Sequence, residues 1–147
     1  MAIYYPIFII CGWVLIILFL SILVKRLFPS KLELSRKIVH IGTGPIILIA
    51  WWFEIPRLIS ITTASLITFG VILNYQFRIF ASIEDIQRKS FGTIAYGLSI
   101  TILLLLFWPN NAAAATFGIL SMAFGDGLAG LIGREIKSPS WMILKQK

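Results

Sequence analysis

Long apolar runs alternate with short polar segments along most of the chain. Five runs approach the length of about 20 apolar residues that a helix needs to cross a bilayer. They cover residues 3–24, 38–53, 55–73, 91–108 and 112–133. This pattern predicts an all-α, polytopic membrane helical bundle with about five transmembrane helices. We expect one integral membrane domain over residues 1–147, with an anchor helix at 1–24 and the polar motifs within 35–147.

The composition excludes a soluble domain of this size. Hydrophobic residues make up 59% of the 147 residues, only 13% are charged, and the mean hydropathy is +0.93. A folded soluble chain needs more polar surface than that. The lipid bilayer is therefore the expected partner, and we expect no nucleic acid despite the net charge of +7.

The basic residues predict how the chain is oriented in the membrane. Lysine and arginine concentrate in residues 25–37, 74–90 and 134–147, whereas Arg57 stands alone on the opposite side. The positive-inside rule then places the amino terminus outside and the three basic segments in the cytoplasm. Trp51, Trp52 and Trp108 lie at span ends, where an aromatic belt is expected.

The first polar cluster is SRKIVHIGTGP, residues 35–45. Ser30 and a glutamate three residues later form a capping box, which predicts a helix start near residue 31. Arg36 and His40 then share one face of the helix, with Lys37 beside them. Pro45 is expected to kink the helix. A basic collar that binds anionic lipid headgroups is the alternative interpretation.

The second cluster is SIEDIQRKSFGTIAYG, residues 82–97. Lys89, Thr93 and Tyr96 follow helical spacing and form one stripe that runs into the apolar span, with Ser90 beside it. A cation, a hydroxyl and a phenol in one stripe suit an anion such as a phosphate. Ordinary ion pairs on a helix surface explain much of the acidic part of this segment equally well.

The third cluster is FGDGLAGLIGR, residues 124–134. A carboxylate such as Asp126 costs roughly 2.5–3.5 kcal/mol inside a span on insertion scales. Gly125 and Gly127 flank it and would let a ligand approach closely. Gly125, Ala129 and Gly133 are spaced by four, which predicts close helix packing on that face. Asp126 paired with a buried arginine is the alternative without a ligand.

All three clusters fall on the predicted cytoplasmic half of the bundle. Positive groups bind phosphates, and a carboxylate can hold Mg²⁺ or orient a hydroxyl. The residues alone therefore indicate a site at the cytoplasmic face for a phosphate-bearing ligand and a lipid.

The segments RKIVH, RKSFGTIAYG and FGDGLAGLIGR, in this order, resemble those of the membrane-embedded polyprenol kinases, which include dolichol and phytol kinases. The last segment is similar to that family's Asp-x-x-Ala-x-x-x-Gly pattern at Asp126, Ala129 and Gly133. The resemblance runs from about residue 35 to the end. It is nearest to the phytol kinases of cyanobacteria and plastids.

This resemblance implies transfer of the γ-phosphate of CTP to an isoprenoid alcohol such as phytol, with Mg²⁺. It also implies a multi-pass protein of a bacterial plasma or thylakoid membrane, or of a plastid membrane. Asp126 would be the catalytic residue and the metal ligand. The residues expected to bind nucleotide or alcohol are Arg36, Lys37, His40, Lys89, Ser90, Thr93, Tyr96, Gly125, Gly127 and Arg134.

The family pattern continues with a Lys-[Ser/Thr]-x-Glu-Gly block and further helices, which this sequence lacks up to Lys147. We therefore expect an amino-terminal part of a longer protein, with a carboxyl-terminal fragment or a second copy as partner. A cytidylyltransferase that acts on lipid phosphates, an ion- or proton-coupled transporter that uses Asp126 and His40, and a structural subunit remain alternatives.

Overall fold

A computed structural model of the protein describes residues 4–29, 32–77 and 91–135. These residues form helices and connecting turns and contain no strand, which confirms the predicted all-α class. The helices are α1 Tyr4–Leu27, α2 Leu32–Thr43, α3 Ile46–Trp52, α4 Arg57–Phe77, α5 Gly92–Phe107 and α6 Ala112–Glu135.

Three of these helices are long and apolar enough to cross a membrane, judged by length and composition: Tyr4–Leu27, Arg57–Phe77 and Ala112–Gly133. Helix α5 is apolar but has only 16 residues. The prediction of one continuous span over residues 38–53 is wrong, because Gly44 and Pro45 form a turn between α2 and α3. Proline lacks the N–H that an uninterrupted helix needs, so the expected kink is a full break.

Side chains of α2 itself and of other helices satisfy main-chain carbonyls that this break exposes. The carbonyl of His40 accepts hydrogen bonds from the Thr43 hydroxyl at 3.0 Å and the Tyr96 phenol at 3.1 Å. The carbonyl of Gly42 accepts one from the indole N–H of Trp13 at 2.9 Å. An interrupted helix in an apolar setting is tolerated only when its freed polar groups find such partners.

Helix α6 lies in the middle of the described bundle. It packs against α2, α3 and α5, while α1 covers α2 and α3, and α4 covers α5. Ser21 of α1 and Ser35 of α2 lock the first pair together: their hydroxyl oxygens are 2.7 Å apart, and each hydroxyl also donates to the other residue's carbonyl. This lock fixes the position of α2, which carries the first polar cluster.

The apolar core lies where α3, the end of α5 and the start of α6 meet. Its buried members are Ile47, Ala50, Ile55, Leu104, Trp108, Ala115 and Ile119. Trp108 is only 2% exposed, and its indole N–H donates to the carbonyl of Ile55 at 2.9 Å. The predicted role of Trp108 in an aromatic belt is therefore wrong, whereas Trp52 is 85% exposed. The core anchors the first half of α6, and the polar clusters meet along the second.

Candidate functional site

The first and third polar clusters come together where α2 crosses α6. The Lys37 ammonium donates to the Asp126 carboxylate at 2.9 Å, through Oδ2, and to the main-chain carbonyl of Asp126 at 3.0 Å. The Nε2 atom of His40 lies 3.3 Å from the same carboxylate oxygen. Since Lys37 and His40 sit nearly one turn apart on α2, both reach the carboxylate from one helix.

Two glycines of α6 permit this close crossing. A Cβ atom at Gly130 would lie 2.7 Å from Cε and 2.9 Å from Nζ of Lys37. A Cβ atom at Gly127 would collide with the side chain of Ile41. Contacts this short do not occur between real atoms, so an added methyl group would force the Ile41 side chain or its helix to move at Gly127 and would displace the tip of the Lys37 side chain at Gly130.

The predicted packing face of Gly125, Ala129 and Gly133 is wrong for the described part of the chain. A Cβ atom at Gly125 or Gly133 would meet nothing within 4 Å, and Ala129 is exposed. The α2 contact instead uses Gly127 and Gly130, which are three residues apart and therefore share a different face of α6.

Lys37 and Asp126 differ sharply in exposure. The Lys37 side chain is 9% exposed, whereas the Asp126 side chain is 65% exposed. Among the described residues, no donor contacts Oδ1, the second carboxylate oxygen of Asp126. The carboxylate is thus held from one side by a buried cation and open on the other. Among the described residues, its charged partner is a lysine and not the arginine of the alternative interpretation.

The second cluster contributes Tyr96, which supports His40 from α5. The two rings are 3.9 Å apart between centroids, and the Tyr96 phenol donates to the His40 carbonyl. The Tyr96 oxygen also lies 3.3 Å from the Thr43 hydroxyl oxygen. The Nε2 atom of His40 is buried and has no hydrogen-bond partner in the part of the chain that the structure describes. Its contact with the Asp126 carboxylate at 3.3 Å is therefore not a hydrogen bond.

The other predicted site residues lie apart from this contact or beyond what is described. Arg36 pairs with the Glu33 carboxylate on its own helix. Thr93 is half-buried in the first turn of α5. Lys89, Ser90 and the side chain of Arg134 lie outside the described residues.

Sequence reasoning missed three contributors to the site: Ile41, Thr43 and Gly130. Ile41 and Thr43 lie in the last turn of α2, just before the helix break, and only the folded contacts reveal them. Gly130 was visible in the sequence through its spacing of three from Gly127, which would have favoured a packing face different from the spacing of four.

Comparison with known proteins assigns the chain to a family. Phytol kinase from Synechocystis sp. is 44% identical to it over 115 residues, which is 77% of this chain and 49% of that protein. The chain belongs to a phytol kinase-like family. It spans about half the length of the curated relative that it matches. No protein-family model matches the chain, and no solved structure matches it significantly.

The residues at the crossing fit one mode of magnesium binding. Within the described parts of the chain, no three histidine, cysteine or acidic side chains lie close enough to form a metal site by themselves. Mg²⁺ is, however, commonly held by one or two carboxylates together with substrate phosphates and water. An exposed carboxylate with one free oxygen, as in Asp126, suits that mode and would need a nucleotide to complete it.

Proposed function

We propose that the chain forms part of a membrane-embedded kinase that transfers the γ-phosphate of CTP to an isoprenoid alcohol of the phytol class. The identity of 44% with a phytol kinase carries this proposal. The exposed carboxylate of Asp126 on an apolar helix also supports it. A lipid alcohol and a charged nucleotide must meet where polar groups lie next to an apolar surface. The site would face the cytoplasm in a multi-pass membrane protein.

Asp126 is the central residue of the proposed reaction. One lone pair of its second carboxylate oxygen accepts a hydrogen bond from the alcohol hydroxyl, which aligns the alcohol oxygen with the γ-phosphorus, and the other lone pair is left for Mg²⁺. The new O–P bond forms as the bond from the γ-phosphorus to the β,γ-bridging oxygen breaks, and CDP leaves. The hydroxyl proton passes to the carboxylate or to solvent. Positioning and charge neutralisation supply most of the catalysis in phosphoryl transfer.

The nucleotide phosphates need cations that neutralise their charge, and Lys37 is already paired with Asp126. Mg²⁺, held by Asp126 and the phosphates, would neutralise charge on the transferred group. Lys89 and Arg134 are the proposed phosphate ligands of the chain. Lys89 precedes Tyr96 in the second cluster, and Arg134 follows Asp126 in the third.

The test uses membranes that contain the chain, in parallel with the longest reading frame that includes it. Phytol and Mg²⁺ are supplied with CTP labelled separately at the α- and γ-phosphates. Labelled phytyl phosphate from the γ position is the expected result. The Asp126→Asn variant should lose it while still inserting into the membrane. Glu54→Gln is the matched control, because Glu54 is an exposed carboxylate in the turn between α3 and α4.

The alternatives give different labels. Transfer of the α label to a lipid phosphate would indicate a cytidylyltransferase and contradict the kinase proposal. Absence of any labelled lipid across phytol, geranylgeraniol, farnesol and dolichol would also contradict it, and would return Asp126 to a transport or structural role. Normal turnover by Asp126→Asn would remove that residue from the site.

A further inference from the structure

Lys37 is enclosed in a way that does not suit a ligand of an incoming nucleotide. The residue is 7% exposed, and the two hydrogen bonds that its ammonium makes with described residues both go to Asp126, one to the carboxylate and one to the main chain. A phosphate ligand must present its charge to the solution from which the nucleotide arrives. The ammonium of Lys37 instead contacts Asp126 of the same chain.

The aliphatic part of Lys37 is confined as well. A Cβ atom added at Gly130 would lie 2.7 Å from the Cε atom of Lys37 and 2.9 Å from its Nζ atom, so a methyl group there would displace them. The side chain is therefore held at its base by α2, along its length by Gly130 and at its tip by Asp126. If Lys37 left this position, the His40 ring would be the one remaining neighbour of Oδ2 of Asp126 among the polar side chains that the structure describes.

Contact with two atoms of one residue fixes that residue's conformation. The ammonium bridges the main-chain carbonyl and the Oδ2 atom of Asp126, so it selects the side-chain rotamer that keeps both within reach. In that rotamer Oδ1 stays free of donors from the described residues, and the carboxylate is mostly exposed. The orientation of the free oxygen thus depends on Lys37.

We infer that Lys37 is a positioning residue that fixes the Asp126 carboxylate through its buried ion pair, and that it does not bind the nucleotide phosphates. This inference rests on the proposed kinase function for its catalytic consequence. The pairing itself stands on the geometry of the crossing. It moves Lys37 from the set of nucleotide ligands to the set of groups that act through Asp126.

Lys37→Met tests the inference, because methionine keeps most of the length and removes the charge. We expect kcat per folded protein to fall about 100-fold, the scale on which small misplacements of a reacting group act. The KM and the directly measured Kd for CTP should stay within about threefold of the wild-type values, because Lys37 does not contribute to binding of the nucleotide. Lys25→Met is the matched control, because Lys25 is a basic residue in the last turn of α1, which carries none of the predicted site residues.

Gly130→Ala tests the same inference with the charge of Lys37 retained. The added methyl group displaces the ammonium, so kcat should fall while the KM for CTP is kept. The double variant with Lys37→Met should be no worse than Lys37→Met alone, because both act on one contact. Gly70→Ala is the control for a methyl group added to an apolar helix, since nothing lies within 4 Å of that position.

A rise of tenfold or more in the KM or Kd for CTP with kcat preserved would make Lys37 a phosphate ligand and overturn the inference. Unchanged kcat and KM would overturn it too. If the wild-type protein transfers no phosphate, the proposed function fails, and the pairing is then tested by thermal unfolding in detergent. Lys37→Met and Asp126→Asn should each lower the midpoint without adding in the double variant; additive effects would refute the pairing.

Discussion

Replacing Gly127 by alanine separates two glycines that look equivalent in the sequence. Gly125 and Gly127 flank Asp126 symmetrically, yet only Gly127 faces α2. Its added Cβ atom would lie 2.8 Å from Cδ1 of Ile41 and nearer still to Cγ1 of the same side chain. Isoleucine is stiff at χ1 in a helix, so the clash is relieved only if α2 and α6 move apart.

The magnitude follows from two opposing effects. Overpacking a tight contact costs about 1–3 kcal/mol. Alanine gains about 0.8–1.0 kcal/mol over glycine in helix propensity. Gly127→Ala should therefore lower the free energy of unfolding by up to roughly 2 kcal/mol, while Gly125→Ala, which meets open space, should raise it by up to about 1 kcal/mol. The difference between the two variants isolates the α2–α6 contact.

The assay is reversible unfolding of the purified chain in mixed detergent micelles, followed by circular dichroism. Both variants carry the same chemical change two residues apart in one helix, so detergent and propensity effects are shared. Equal shifts for Gly125→Ala and Gly127→Ala would refute the claim that α2 packs on the Gly127 face.

Three further predictions concern the helix break, the orientation and the metal. Trp13→Phe should lower the free energy of unfolding by about 0.5–1.5 kcal/mol, since it removes the hydrogen bond to the Gly42 carbonyl, whereas Trp52→Phe at an exposed site should not; equal losses in the same micelle assay would contradict this. Cysteines introduced by Lys31→Cys and Lys137→Cys in a cysteine-free background should react with an impermeant thiol reagent only from the cytoplasmic side, and labelling from outside would overturn the predicted orientation. Chelation of divalent cations should abolish phosphate transfer, leave the helix content unchanged and be reversed by Mg²⁺; transfer that persists without divalent cations would argue against a metal at Asp126.

Apolar length predicted most helices of this fold. Residues 3–24, 55–73, 91–108 and 112–133 correspond closely to α1, α4, α5 and α6, because hydropathy over a span is a sum over many residues. The segment 38–53 failed as a single helix. Gly44 and Pro45 change the mean hydropathy of the segment little. Pro45, however, lacks the backbone N–H donor that is needed to continue the helix.

The sequence identified Lys37, His40 and Asp126 as candidate site residues, but it did not predict which of them contact each other. Charge counting placed His40, Lys37 and Asp126 on one side of the membrane, and the structure brings them together. The sequence could not show that Lys37 serves Asp126, which lies 89 residues away. Nor could it show which glycine face meets α2. Both depend on how α2 is rotated about its axis, and that rotation is fixed by tertiary contacts such as the Ser21–Ser35 lock.

The break between α2 and α3 also constrains the order in which the protein is assembled during synthesis. Of the two side chains from other helices that satisfy its carbonyls, Trp13 leaves the ribosome before the break, but Tyr96 follows His40 by 56 residues. Until α5 has been made, the His40 carbonyl can accept a hydrogen bond from the Thr43 hydroxyl of its own helix but lacks the one from the Tyr96 phenol. The contacts around the break are therefore completed only once α5 has been synthesised and Tyr96 reaches the His40 carbonyl.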